Sequence, residues 1–260
     1  MRLTISIAFL VSGLAAAASN SPIVDPKLDE AVHKFLGSPQ IERAILVNGS
    51  GVHTLAGIEN CPNLITIFLT DSDVSDLTPL AKLANLEQLT IRGAKIRDLT
   101  PLANLSRLQY LDLSGNQIAD LKPLASLKNL QTLDLSNNQI ADVSPLAGLT
   151  NLRSLHLDGN RITDVTALAG LTGLDLLSVR NNQIRDLSPL KNLSNWNYLY
   201  LDQNQISDVA PLVSMVERDL SDSKRATNIL TISLKGNPLS ADARSKELPE
   251  LKKRAFDVID

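Results

Sequence analysis

Residues 108–151 read LQYLDLSGNQIADLKPLASLKN and then LQTLDLSNNQIADVSPLAGLTN, two copies of one 22-residue pattern. Leu108, Leu111, Leu113, Ile118, Leu121, Leu124 and Leu127 return as Leu130, Leu133, Leu135, Ile140, Val143, Leu146 and Leu149. Self-similarity at this period means that each copy cannot bury its apolar side alone and must stack on its neighbours. Within a copy, Leu111-Asp112-Leu113 alternates like a short strand, sending the leucines inward and the residue between them outward. The expected architecture is a solenoid with one strand and one short return segment per turn.

The pattern extends in both directions. The first apolar column runs Leu64, Leu86, Leu108, Leu130, Leu152, Leu174 and Trp196, facing Leu83, Leu105, Leu127, Leu149, Leu171 and Leu193 of the returns; Cys61 is equivalent to Leu83 and reads as a buried apolar thiol. Asn116, Asn138, Asn160, Asn182, Asn204 and Asn237 follow the strands, where a buried amide can bond backbone groups that the turn leaves unpaired. Asp76, Asp98, Asp120, Asp142, Asp164, Asp186 and Asp208 form a second polar column, with Pro three residues on in all but one copy. A carboxylate there can cap a helical turn whose first residues tolerate Pro. One carboxylate per turn gives separated acceptors rather than the converging oxygens that calcium needs.

With every column in register, the chain resembles the 22-residue SDS22-like class of leucine-rich repeats, which also occurs in bacterial internalins, over about Ile41 to Leu239. The resemblance implies an α/β solenoid: a right-handed horseshoe with a parallel concave sheet and 3-10 or short helical segments on the convex side. Ser50, Ser72 and Ala94 stand where the Asn ladder would run, so the first three rungs are expected to be less regular.

The expected organisation is a signal peptide over 1–18, a helical cap over 19–41, about nine rungs over 42–239, and a C-terminal cap over 240–260. Arg2 followed by the apolar run Leu3 to Leu14 and by Ala15 to Ala18 fits a cleaved export signal. Asp25-Pro26 with Leu28, Ala31, Val32, Phe35 and Leu36 reads as a capped amphipathic helix ending near Gly37. Leu248, Leu251, Phe256, Val258 and Ile259 read as the apolar residues of a helical lid, and the return segment at 213–228 is longer than its counterparts, as a surface loop or a longer helix.

The formal charge is −3, and loss of Arg2 with the signal makes it more negative, which disfavours a nucleic-acid partner. A single cysteine permits no intrachain disulfide. No nucleophile elbow, phosphate loop or metal-binding His pair occurs, so neither an enzyme nor a cofactor is expected. The expected protein is monomeric and secreted or periplasmic, with no stable membrane insertion after cleavage, and the lack of the cysteine-rich caps that exported eukaryotic leucine-rich-repeat domains usually carry implies a bacterial source.

Chemistry is free to vary only at outward strand positions. The middle column includes Phe68, Thr90, Asp112, Asp134, His156, Ser178 and Tyr200; the column before it includes Tyr110 and Tyr198; the column after it includes Arg92, Asp158, Arg180, Asp202 and Lys235. All three tyrosines of the chain fall here, and tyrosine supplies contact area at low entropic cost. The expected partner-binding residues are therefore Tyr110, Asp112, Asp134, His156, Asp158, Arg180, Tyr198, Tyr200 and Asp202, recognising a protein. Neighbouring strands bring Asp134 within reach of an ion pair with His156. Two other readings are an envelope scaffold acting through the convex face or the 213–228 segment, and a metal-assisted hydrolase around His156 with Asp134 and Asp158.

Overall fold

A computed structural model describes residues 23–30, 44–47, 51–193, 196–221, 231–255 and 257–260. The expected signal peptide lies outside them, as does most of the N-terminal cap. Ten strands form one open, wholly parallel sheet in sequence order. They are β1 (Ala44–Val47), β2 (Thr66–Thr70), β3 (Gln88–Arg92), β4 (Tyr110–Asp112), β5 (Thr132–Asp134), β6 (Ser154–His156), β7 (Leu176–Ser178), β8 (Tyr198–Tyr200), β9 (Thr231–Ser233) and β10 (Asp257–Ile259). The register is the repeat itself: Leu111, Leu133, Leu155, Leu177, Leu199 and Ile232 are successive partners. A side chain on one rung therefore lies over its counterpart on the next, and the leucine columns form one continuous buried core.

The returns are 3-10 turns, such as Lys122–Ser126, Ser144–Gly148 and Thr166–Gly170. Each is entered through the Asp column. The carboxylate of Asp98 accepts the Thr100 amide at 2.8 Å, and Asp142 and Asp186 do the same for Ser144 (2.8 Å) and Ser188 (2.7 Å). Pro as the second residue of most turns loses nothing, since a first-turn amide has no partner within the turn.

Between strand and return, the chain turns in the left-handed region at one repeat position. Asp71, Gly93, Gly115, Asn137, Gly159, Asn181, Gln203 and Gly236 all have φ between 51° and 72°. This column, glycine, Asp or Asn at every rung but that of Gln203, is legible in the sequence as a turn signal, yet it is absent from the columns read there. At Gly159 a Cβ would also run into the Asn137 side chain.

The Asn ladder follows directly. Asn160 donates through Nδ2 to the carbonyls of Leu135 and Leu157, each at 3.0 Å, and its Oδ1 accepts the Ile140 amide at 3.0 Å. One buried amide thus closes three backbone groups on two adjacent rungs, and Asn116, Asn138, Asn182, Asn204 and Asn237 repeat the arrangement. Upstream, the column departs as expected: Ala94 is buried with no polar atom to offer, and Ser72 buries a hydroxyl that meets no partner among the described residues. A second ladder, not anticipated, precedes the strands. Asn85, Asn129 and Asn151 each donate to a carbonyl of the preceding return at 2.7–3.1 Å.

The described part of the N-terminal cap is tied to the repeats, and the C-terminal cap is not wholly helical. Asp25 accepts the amides of Lys27 (2.9 Å) and Leu28 (3.2 Å) and, through its other oxygen, that of His53 (2.7 Å), so it both caps residues 26–30 and fastens them to the first return. The longer return contains a helix, Ala210–Ser221, whose Leu212, Met215 and Val216 are buried, while Arg218 donates to the carbonyls of Lys191 (2.8 Å) and Leu193 (2.7 Å). The C-terminal segment is helical with a π turn over Ala243–Glu247, and Leu248 and Leu251 are buried as expected. Val258 and Ile259, however, belong to no helix. They form β10, which extends the sheet beyond β9 and covers the last rung with main-chain hydrogen bonds. Cys61 is half-buried at the edge of the core rather than sealed inside it, and burial, with Glu59 nearby, pushes its thiol pKa up.

Replacing Asn160 by Ala is expected to lower the unfolding free energy by about 3 kcal/mol, because one buried amide and two buried carbonyls lose their partners. Asn129→Ala, which frees a single carbonyl at an exposed residue, is expected to cost less than about 1 kcal/mol. Urea denaturation followed by circular dichroism checks both.

Acid is expected to loosen the returns. The hydroxyl and then the amide of Thr100, Thr166 and Ser188 hold the carboxyls of Asp98, Asp164 and Asp186 below the usual range; at Asp142 the Ser144 amide leads. With folded-state values below unfolded ones, the unfolded chain binds more protons in that window, so stability falls as pH drops below about 4. The thermal midpoint should follow this course, and a chain with Asn at all four positions should show a shallower fall.

Candidate functional site

The outward face of the sheet carries two constellations built on the same plan, each with an arginine of the column after the strand, an aromatic ring and a carboxylate. At the N-terminal side, Arg92 bonds Asp112 through Nε (2.7 Å) and Nη2 (2.5 Å), with its guanidinium 6.0 Å from the Phe68 ring. Asp112 is 0% exposed and also accepts the hydroxyl (2.8 Å) and amide (3.1 Å) of Ser114. It cannot meet a partner directly, contrary to the expectation from its outward register, because Arg92 folds over it from the preceding rung. That bond raises the Arg92 pKa, and burial, with Asp112 beside it, raises that of the half-buried Tyr110.

Four rungs on, Arg180 lies 3.9 Å from the centroid of the Tyr200 ring and is fixed through Nε to Asp202 at 2.8 Å. Tyr198 stacks beside Tyr200, with centroids 6.2 Å apart and planes at 20°. Asp202 is buried and ties three rungs together: besides Arg180 it accepts the Ser233 hydroxyl and the Lys235 amide (3.0 Å). Two rungs earlier Asp158 has an equivalent role, accepting the Ser178 hydroxyl at 2.6 Å and the Arg180 amide at 2.7 Å. The aspartates of the later column are thus inter-rung clamps, with Asp158 half-buried.

Between the two constellations lie Asp134 and His156, half-buried partners in the β5–β6 register. The expected ion pair between them does not form. Asp134 turns onto its own chain to accept the Ser136 amide at 2.9 Å, and His156 Nε2 lies 2.9 Å from Ser154 Oγ. Among the described residues no three His, Cys, Asp or Glu side chains gather where they could hold a metal. Of the nine predicted residues, the structure brings Arg180, Tyr198, Tyr200 and Asp202 into one patch, leaves Asp134, His156 and Asp158 as a polar strip before it, and sets Tyr110 with Asp112 in the other constellation.

Arg92 and Phe68 belong to this face and are missing from the predicted set. The signal was present: Arg92 stands one rung before Asp112 in the outward columns, and Phe68 is one of four phenylalanines in the chain. An open hollow of about 400 Å³ lies aside from both constellations, lined by Gln109, Asn129, Gln131, Asn151 and Arg153, and none of the predicted residues borders it.

Comparison with known proteins places the chain in a family. A family model for leucine-rich repeats, each match spanning two copies, fits residues 106–148, 128–170 and 172–214. Internalin C2 of Listeria monocytogenes is similar over 83% of this chain and 96% of its own, with 36% identity and a TM-score of 0.74. The internalin InlF of the same organism matches over 85% of this chain and 74% of its own, with 29% identity and a TM-score of 0.68. The ectodomain of the Arabidopsis thaliana receptor kinase GASSHO1/SCHENGEN3, in complex with Casparian strip integrity factor 2, shares the fold over 78% of this chain and 25% of its own, with 20% identity and a TM-score of 0.64. No curated protein matches the sequence significantly. The chain belongs to the internalin-like leucine-rich-repeat proteins. Repeat frames of this kind serve protein binding through an extended concave surface.

Asp112→Ala is expected to cost about 2 kcal/mol of stability, since the Ser114 amide and Arg92 lose a buried acceptor. Asp134→Ala, half-exposed, should cost under about 1 kcal/mol. Thermal denaturation of the two variants separates the structural carboxylate from the surface one.

Proposed function

We propose that the protein is an exported, non-enzymatic recognition module that binds a protein partner on its concave face. Tyr110, Asp134, His156, Asp158, Arg180, Tyr198 and Tyr200 supply the contacts, while Asp112 and Asp202 hold the two arginines in place. The observation that carries this reading is the exposure of Tyr198: at 41% it is, with Val24 near the N-terminus, one of two exposed large apolar side chains among the described residues, and it lies stacked on a ring already braced by Arg180. A rigid aromatic pair beside an immobilised guanidinium has the composition of an interface hot spot. The returns and ladders leave this face free, because their polar groups are spent on the backbone.

Export rests on the Met1–Ala18 pattern, with the secreted or periplasmic space as destination. Among the described residues no helix is long and apolar enough to cross a membrane.

Affinity capture from envelope and host-cell extracts tests the assignment, with wild type compared against a Tyr198→Ala, Tyr200→Ala chain and a convex-side Asp76→Asn, Asp98→Asn control. A protein retained by wild type and control and lost by the tyrosine variant is the expected result. Retention by all three would remove the concave face from consideration.

A further inference from the structure

We propose that Arg180 is a carboxylate-reading anchor and that the segment docking on this face carries an Asp or Glu side chain next to an apolar or aromatic one. This rests on the concave-face reading above and adds the chemistry of the partner. The argument begins with the difference between the two arginines. Arg92 spends both Nε and Nη2 on Asp112, which leaves little of its fork to offer. Arg180 spends Nε alone on Asp202, and among the described residues neither of its terminal nitrogens has a partner. Its side chain is 42% exposed.

Holding an arginine by Nε while stacking its plane on Tyr200 fixes the direction in which the two terminal nitrogens point. A planar fork presented in this way matches a carboxylate in bidentate geometry, and little rotamer entropy remains to be lost on binding. Asp202 largely offsets the Arg180 charge, so recognition here depends on direction more than on net charge. The surplus positive charge belongs to Lys235, in the same column beyond Asp202, which is exposed and without an ion-pair partner among the described residues. On the other side, Asp158 and Asp134 have no cation within ion-pair distance among the described residues and repel a carboxylate. An acidic side chain is directed to the rungs of Arg180 and Tyr198, with Lys235 two rungs beyond Arg180 in the same column and the exposed Asp257, in register with Thr231, marking the far limit of this stretch. Tyr198 supplies the apolar platform for its neighbour.

The probe is a random-peptide display library selected on the immobilised full chain, with selected peptides then measured by fluorescence anisotropy against wild type, Arg180→Lys and Tyr198→Ala, each checked for an unchanged thermal midpoint. The expected result is enrichment of Asp or Glu beside an aromatic or aliphatic residue, with binding weakened about tenfold or more by Arg180→Lys, which keeps the charge but removes the fork and the stacking. Enrichment of Lys or Arg, or acidic peptides insensitive to Arg180→Lys, overturns the proposal. Neutral peptides lost on Tyr198→Ala but not on Arg180→Lys overturn the carboxylate reading while leaving concave recognition standing. Failure to enrich any peptide overturns the docking of a linear segment.

Discussion

The buried asparagine amide is the constraint on which the rest of the molecule depends. A chain that turns once per rung leaves a carbonyl at the end of each strand and an amide on the rung before it, both out of reach of water, and orphaned groups of this kind cost about 1–3 kcal/mol each. An Asn side chain has two donors and one acceptor in the geometry needed to close them, and it must sit beside the left-handed residue that swings the backbone out of the strand. Because Asn160 bonds both Leu135 and Leu157, it also sets how far apart consecutive rungs lie. Leucine packing then fills a space whose dimensions hydrogen bonds have already fixed.

That division of labour explains why chemistry collects on one face. Asp98 and its equivalents are held by return amides, and Asn129 and its equivalents by carbonyls of the preceding return. The outward strand positions alone carry no duty to the repeat, yet the protein does not leave them loose. Asp112 and Asp202 are drawn under arginines, and Asp158 and Asp202 each bond the following rung. The result is an outward face whose long side chains are already restrained, and on the function proposed above this lowers the entropic cost of association.

Much of this was legible in the sequence because the period makes every rung a copy of the last. The strands, the Asn ladder and the capping carboxylates follow from columns that anyone can align within the one chain, and the 3-10 returns from the family resemblance those columns carry. The ends were harder. Nothing in Asp257-Val258-Ile259 distinguishes a strand from the last turn of a lid helix, because with an apolar pair and no repeat behind it the tertiary edge of β9 decides. On the concave face the columns placed the right residues but not their burial. Asp112 was expected outside because strand alternation points it there, and it became buried because Arg92 reaches across from another rung, an event that depends on side-chain length and not on register. His156 and Asp134 were neighbours as expected, but each found a nearer partner on its own chain.

The bond from Asn237 to the Leu201 carbonyl spans 36 residues, where its counterparts span 25, and it has the same geometry. The extra residues fall between β8 and β9, where the described chain includes the Ala210–Ser221 helix, and the strands on either side stay in step. Contour length and surface pitch are thus independent variables in this molecule. Residues can be added on one side of the solenoid without moving the graduations on the other, so the spacing of side chains along the outward face of the sheet survives changes in return length that would scramble an ordinary sheet.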